Sequence, residues 1–226
     1  MVVQYRTKQV CVFCVMVLLT IINVCAQIPY KKSNDEINLK DFNGSLYLED
    51  IFIGGTVYDG LTKKEKQVFL RYDVYNDVFE MKDTQADKKY NFLKRSVEVK
   101  VLLNGKNFYF LNYTNNEGKL VSGYLDELAQ ISDIKLYVKY DKTLILPKKA
   151  QTSLETDRPG KIKDKMYYVV GKSENLKATT ITKKSILTYI PEAQKKEVKE
   201  YIKKSRIKFK DPKDIKKIAE YYKTLE

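Results

Sequence analysis

The sequence predicts an α+β fold: a predominantly antiparallel β meander, forming a sandwich or a partly closed barrel, followed by two or three C-terminal α-helices. Three observations predict it. Asn104-Gly105 stands between two alternating apolar runs, and a type I′ hairpin turn needs positive φ at both of its central positions. The stretch from Val97 to Leu146 is a series of short strand-like runs broken by turn residues. From Thr182 onward the apolar period changes to that of a helix.

A tight turn at Asn104-Gly105 sets Val101 against Phe108, Val99 against Phe110 and Val97 against Asn112. That register gathers Val97, Val99, Val101, Phe108 and Phe110 on one face, which is the expected core. Glu98, Lys100 and Leu102 take the other face, opposite Leu111, Tyr109 and Asn107. Faces this unequal favour an antiparallel sheet covered on one side.

The remaining elements follow in chain order. Residues 27–45 form a polar N-terminal arm, and residues 46–181 the antiparallel β domain. Leu46 to Ile53 and Thr56 to Tyr58 are expected strands around Gly54-Gly55, with a turn at Asp59-Gly60. Val68 to Lys82 is a second hairpin. Its turn at Asn76-Asp77 pairs Val74 with Phe79 and Tyr72 with Met81, with Leu70 on the same face. Asp83 to Arg95 is polar and is expected to be a link. The meander strands fall near 97–103, 106–113, 119–127 and 134–140, with a turn at Asn115 to Gly118. Thr143 to Leu146 adds a short edge that Pro147 ends. Residues 148–165 are expected as an exposed loop, and Met166 to Gly171 as the last strand. Residues 182–226 form a helical segment packed on the β domain. Thr182 caps a helix through Ile190. Pro191 opens a second, running to about Ser205 with Val198, Tyr201 and Ile202 inward. Asp211 caps a third, with Pro212 in its first turn and Asp214 complementing the helix dipole. There Ile215, Ile218, Tyr222 and Leu225 recur at helical spacing.

The 226 residues are 31% charged and 43% hydrophobic, a globular composition with enough chain for a real core. Arg6 and Lys8 precede an apolar run from Val10 to Val24, and Val24-Cys25-Ala26 follows. This order reads as a signal peptide over residues 1–26, cleaved after Ala26. A permanent anchor competes, but the run is shorter than the roughly 20 residues of a membrane span. A lipoprotein would use Cys25 as the lipidated residue, with Val24 bulkier than the small residue usual before it. Cleavage removes all three cysteines and two of the charges behind the net +13, leaving no Cys, His or Trp. Small secreted eukaryotic domains usually rely on disulfides, so a periplasmic, outer-membrane or cell-surface location is expected. In that compartment the sequons at Asn43 and Asn112 carry no weight.

The missing residue types exclude whole chemistries. Without His or exported Cys there is no Ser-His-Asp or Cys-His nucleophile and no thiolate or imidazole metal site. No P-loop, GxGxxG or GxSxG is present, so no cofactor and no metal is expected. Asp73 and Glu80 would oppose each other across the second hairpin, and paired carboxylates can share a proton or bind a hard cation. Arg71 and Lys82 on the same face would neutralise them instead. Tyr109 and Lys100 lie on the free face of the first hairpin and are the remaining ligand-binding candidates. Tyrosines on a sheet can stack on sugars, although Tyr is also a good strand former. Lys195 to Lys217 is strongly basic. In an exported chain its accessible partners are an envelope protein or an anionic membrane or polysaccharide surface, not nucleic acid. Glu197 and Glu200 interrupt the run, as they would on a merely solvated helix face.

The VCAQ cleavage region, the RYDVYNDVFEMK hairpin and the closing IKKIAEYYKTLE helix resemble uncharacterised small secreted envelope proteins of Gram-negative bacteria. The resemblance implies an exported β-rich domain with a helical tail, and it carries no activity and no site residues. The leading expectation is a non-enzymatic exported protein that binds a partner or supports an envelope structure. The alternatives are a carrier of a small apolar ligand in a β-barrel and a carboxylate-dependent hydrolase using Asp73 and Glu80.

Overall fold

Among the described residues eleven strands form one mixed, mostly antiparallel sheet, and three α-helices follow it. The computed structural model describes residues 39–226 other than Ser153, Ser173 and Glu174. The expected signal peptide over 1–26 and most of the 27–45 arm lie outside the described residues. The strands are β1 (Phe42–Asn43), β2 (Ile53–Asp59), β3 (Lys64–Asp73), β4 (Val78–Lys82), β5 (Asn91–Phe92), β6 (Val99–Leu103), β7 (Lys106–Thr114), β8 (Leu120–Ile131), β9 (Ile134–Ile145), β10 (Gly160–Lys172) and β11 (Asn175–Thr179). The helices are α1 (Lys183–Thr188), α2 (Lys195–Lys204) and α3 (Pro212–Lys223). Sheet order is β1-β10-β9-β8-β7-β6-β2-β3-β4-β5, with β11 beside β10. The sheet curls until β11 reaches β7 at one parallel bridge, Lys177 to Thr114, but it is not a closed barrel.

The Asn104-Gly105 hairpin forms in the expected register, with Val101 opposite Phe108 and Lys100 opposite Tyr109. Both turn residues have positive φ, 50° at Asn104 and 72° at Gly105, as type I′ geometry requires. Val101 and Phe108 are fully buried, and Val99 and Phe110 pack partly buried on the same core. Val97 corrects the expected core list. It is 57% exposed, because β6 begins only at Val99.

The second hairpin corrects a register. Tyr72 faces Phe79, Leu70 faces Met81 and Arg71 faces Glu80. The turn therefore spans four residues, Val74 to Asp77, and Asp77 takes φ 54°. Asp73 holds this wider turn by accepting from Asn76 N at 2.9 Å and Asn76 Nδ2 at 2.7 Å. The slip is even, so the apolar face survives unchanged while the cross-strand partners change.

Two expected boundaries also move. Leu46 to Ile53 is not a strand; only Tyr47 makes a bridge, to Asp73, before β2 starts at Ile53. The exposed loop 148–165 ends at Pro159; β10 starts at Gly160, and Lys161 to Lys165 already pair with Ile145 to Asp141 of β9. Within the described part of the polar arm, a 3₁₀ turn at Leu39–Asp41 leads into β1, which pairs in parallel with β10.

Three cores result. Ile186, Ile190, Val198, Ile202, Ile215, Ile218, Ala219 and Tyr222 bring the helices onto Ile131, Leu136, Val138, Tyr168 and Val170. Thr182 and Ser185 form a capping box at α1, and Asp211 caps α3 through Lys213 N with Pro212 in its first turn. A second core centres on Leu70, Tyr72, Phe79, Val101, Leu103, Phe108 and Tyr124. Its rings are stacked or edge-on, with Tyr72 to Phe79 centroids at 4.6 Å and Phe79 to Tyr124 at 4.8 Å. The third, Tyr113, Leu125, Tyr137, Val169 and Leu176, fills the inside of the curl.

β8 joins the two halves of the sheet. Its first half pairs with β7, and its second half, from Asp126, pairs with β9 across an irregularity at Glu127 to Ala129. Beyond the Asp126–Val138 pair the two strands diverge, and Asp77 enters the fork. Its carboxylate accepts from Lys139 Nζ at 2.6 Å and from Tyr124 N at 3.3 Å, and also from the Tyr72 hydroxyl. A Cβ on Gly123 would meet Asp77 Oδ2 at 2.7 Å, so only glycine lets the carboxylate sit there.

Candidate functional site

The buried acids come first, because they are where acid–base chemistry would have to reside. Glu80 is 2% exposed. Arg71 donates to its Oε2 from Nε at 2.8 Å and from Nη2 at 2.6 Å, and Tyr47 donates to its Oε1 at 3.4 Å. The Arg71 guanidinium is itself held 3.9 Å from the Tyr47 ring centroid and 4.5 Å from that of Phe52. Burial, reinforced by the Glu80 charge, pushes the Tyr47 hydroxyl up to about 12, which keeps it a donor. Asp73 is spent on its turn. Asp126 accepts from Tyr140 at 2.9 Å and from Lys106 at 3.3 Å, and Lys106 also donates to Tyr140 at 2.7 Å. Burial raises the Asp126 carboxyl above its ordinary value, while Lys106 opposes that rise. Each acid thus has a cation, a hydroxyl or a turn amide fixed upon it. These networks pin strands together; none aims an uncompensated carboxylate into a cavity.

The four residues singled out in the sequence are not brought together as one site. Asp73 and Glu80 do not oppose each other; Val78 and Arg71 are their cross-strand partners. Lys100 and Tyr109 do meet, with the ammonium 5.6 Å from the ring centroid. Lys100 also lines an open cleft of about 310 Å³ with Thr56, Tyr58, Glu65 and Leu102. A second open cleft, about 290 Å³, includes Leu48, Val74, Tyr140 and Met166 near the β8–β9 fork. Both lie near the low end of ligand-pocket volumes. The Asp77–Lys139–Tyr72 and Asp126–Lys106–Tyr140 networks gave no signal in the sequence, since their members lie up to 67 and 34 positions apart. Among the described residues no three acidic side chains gather so as to hold a metal ion.

The basic segment has a definite geometry. Val198 and Ile202 point inward from α2, and Ile215, Ile218, Ala219 and Tyr222 from α3. This phase turns the lysines outward. Tyr201 and Tyr221 stack at 4.1 Å, almost parallel, and join the two helices. Asp214 accepts from Lys208 N at 2.9 Å and Lys217 Nζ at 2.7 Å, which ties the connecting loop to α3. These bonds also hold its carboxyl below the ordinary value. Lys195 and Lys217 have ion-pair partners, Glu192 and Asp214. Lys196, Lys199, Lys203, Lys204, Arg206, Lys208, Lys210, Lys213 and Lys216 are exposed. Among the described residues none of them forms an ion pair. Lys195 to Lys217 holds eleven basic residues against four acidic ones, so the face has a net positive field that its own carboxylates do not cancel.

Compared with known protein families, with curated proteins and with solved structures, the chain matches none.

Proposed function

We propose that this chain is a non-enzymatic exported protein of the periplasm or the outer cell surface, which attaches to a polyanionic partner through the outer face of α2 and α3. The observation that carries this reading is the row of exposed, unpaired cations on two helices locked by the Tyr201–Tyr221 stack. Clustered charge of one sign raises the local concentration of a polyanion and speeds its capture, an effect that salt screens. The carrier alternative needs a closed barrel around an empty cavity, and the inside of the curl holds packed side chains. The hydrolase alternative needs Asp73 and Glu80 side by side, and Glu80 faces Arg71 instead.

Binding to polygalacturonate, an acidic polysaccharide, tests the face. The chain should bind at low salt, and Lys199→Glu, Lys203→Glu and Lys213→Glu together should weaken binding at least tenfold. Binding unchanged by that triple reversal would contradict the assignment. Export has its own test: the mass of the protein recovered from its host should correspond to a chain beginning at Gln27, and an intact residue 1–26 segment would contradict it.

A further inference from the structure

The other end of the strand order carries a surface of different chemistry. β5 pairs with β4 through Phe92–Glu80 and Asn91–Met81, and its outer side has no partner strand among the described residues. Ile51 is 66% exposed, Phe92 59% and Tyr90 42%. They are contiguous with Phe52: the Phe52 and Tyr90 centroids are 5.9 Å apart and those of Tyr90 and Phe92 5.7 Å. Holding Arg71 explains Phe52 and Tyr90. It does not explain Ile51 and Phe92, which face solvent.

In residues 82–94, the segment that carries Tyr90 and Phe92, four lysines stand against two aspartates. Lys82 Nζ sits 4.4 Å from the Phe52 centroid, and Lys88, Lys89 and Lys94 are exposed. None of these four forms an ion pair among the described residues. Of the nearby acids, Glu80 is paired with Arg71 and Asp83 with Lys66, while Asp87 and Asp50 accept from the neutral hydroxyls of Thr84 and Ser45 and keep their charge. Aromatic and aliphatic side chains ringed by lysines match the boundary between lipid headgroups and acyl chains. There rings and aliphatic groups enter, and the lysine stems reach back to anionic headgroups. A peptide strand would find little here, because a two-residue β5 offers almost no ladder.

We propose that the edge formed by Ile51, Phe52, Tyr90 and Phe92, with the lysines around it, docks on an anionic lipid bilayer. The inference goes beyond the α2–α3 reading and rests on different residues. On both together, the protein holds a membrane at one surface and a polyanion at another.

The absence of tryptophan makes the test direct. Phe92→Trp in the full chain places a single indole in the strip. Vesicles of phosphatidylcholine mixed with phosphatidylglycerol should shift its emission to the blue, brominated acyl chains should quench it, and pure phosphatidylcholine should do neither. Lys88→Gln, Lys89→Gln and Lys94→Gln together should lower partitioning by about a hundredfold, roughly fivefold for each charge near an anionic surface. Ile51→Trp gives the same readout if the first variant folds poorly. A folded variant whose emission ignores anionic vesicles overturns the inference. Vesicle binding with no spectral change would overturn it as well and place the lipid contact elsewhere, leaving the α2–α3 reading intact. Loss of polygalacturonate binding alone would overturn that reading and leave this one.

Discussion

Replacing Lys139 by Met tests whether the buried charge networks pin the fold. The Lys139 side chain is 9% exposed and that of Asp77 21%. Met keeps most of the stem volume and removes the ammonium, so Asp77 retains the Tyr72 hydroxyl and Tyr124 N but loses the Lys139 ion pair. Removing one partner from a fully buried pair costs about 3–5 kcal/mol. Because Asp77 keeps some contact with water, about 2–3 kcal/mol is expected. At roughly 2–4 °C per kcal/mol for a chain of this size, the midpoint should fall by about 4–12 °C. Denaturant unfolding followed by circular dichroism reads the loss. The cycle closes with Asp77→Asn and the double variant. The double variant should be more stable than Lys139→Met alone, since no unpaired charge remains in the fork. A Lys139→Met cost below about 0.5 kcal/mol, the scale of a surface pair, would refute the claim that this pair fastens the β3–β4 turn into the β8–β9 fork.

Three further outcomes follow from the same geometry. Gly105→Ala should cost about 1–2 kcal/mol, because φ is 72° there and an L side chain is strained in that region; equal stability in urea would contradict the I′ turn. Ile218→Ala should cost about 2–5 kcal/mol, since Ile218 is fully buried between α3 and the sheet; a smaller loss by thermal unfolding would mean that the helices pack loosely. Burial raises the Asp126 carboxyl in the fold, so the folded state binds the proton more tightly than the unfolded one. Its contribution to stability is therefore greatest below the ordinary carboxylate range and falls as pH rises through the raised value. Relative to Asp126→Asn, the unchanged chain should lose stability as pH rises through that window. The opposite trend in paired urea titrations would contradict the burial argument.

The meander was legible because local chemistry alone specifies it. Asn104-Gly105 dictates its own φ values, and the alternation of Val99, Val101, Phe108 and Phe110 agrees with the turn. The helix starts were equally local, set by Thr182 and by Asp211-Pro212. The misread parts depend on distant partners. Nothing near Asn76 reveals that Asp77 will be held by Lys139, or that Asp73 will cap a four-residue turn, so the Asp73–Glu80 pairing could not be rejected from the sequence. Lys161, Lys163 and Asp164 made the start of β10 resemble a loop, although β9 pairs with every residue from Lys161 to Lys165. Val97 continued the apolar alternation beyond the point where β2 stops supporting the strand, at Val99. The basic run was visible as charge, but only the helix phase shows which lysines face outward. The β5 edge was hidden because Asp83 to Arg95 reads as a polar link, and its exposed rings meet Ile51 and Phe52 only in the fold.

We propose the basic face of α2 and α3 as the surface that binds the polyanion. Calorimetric titration of the intact chain with polygalacturonate, at low salt and at physiological salt, tests it most directly. Binding should be measurable at low salt, weaken steeply as the screening length shortens to about 8 Å, and fall at least tenfold on combined reversal of Lys199, Lys203 and Lys213. Affinity that is insensitive both to salt and to that reversal would contradict it.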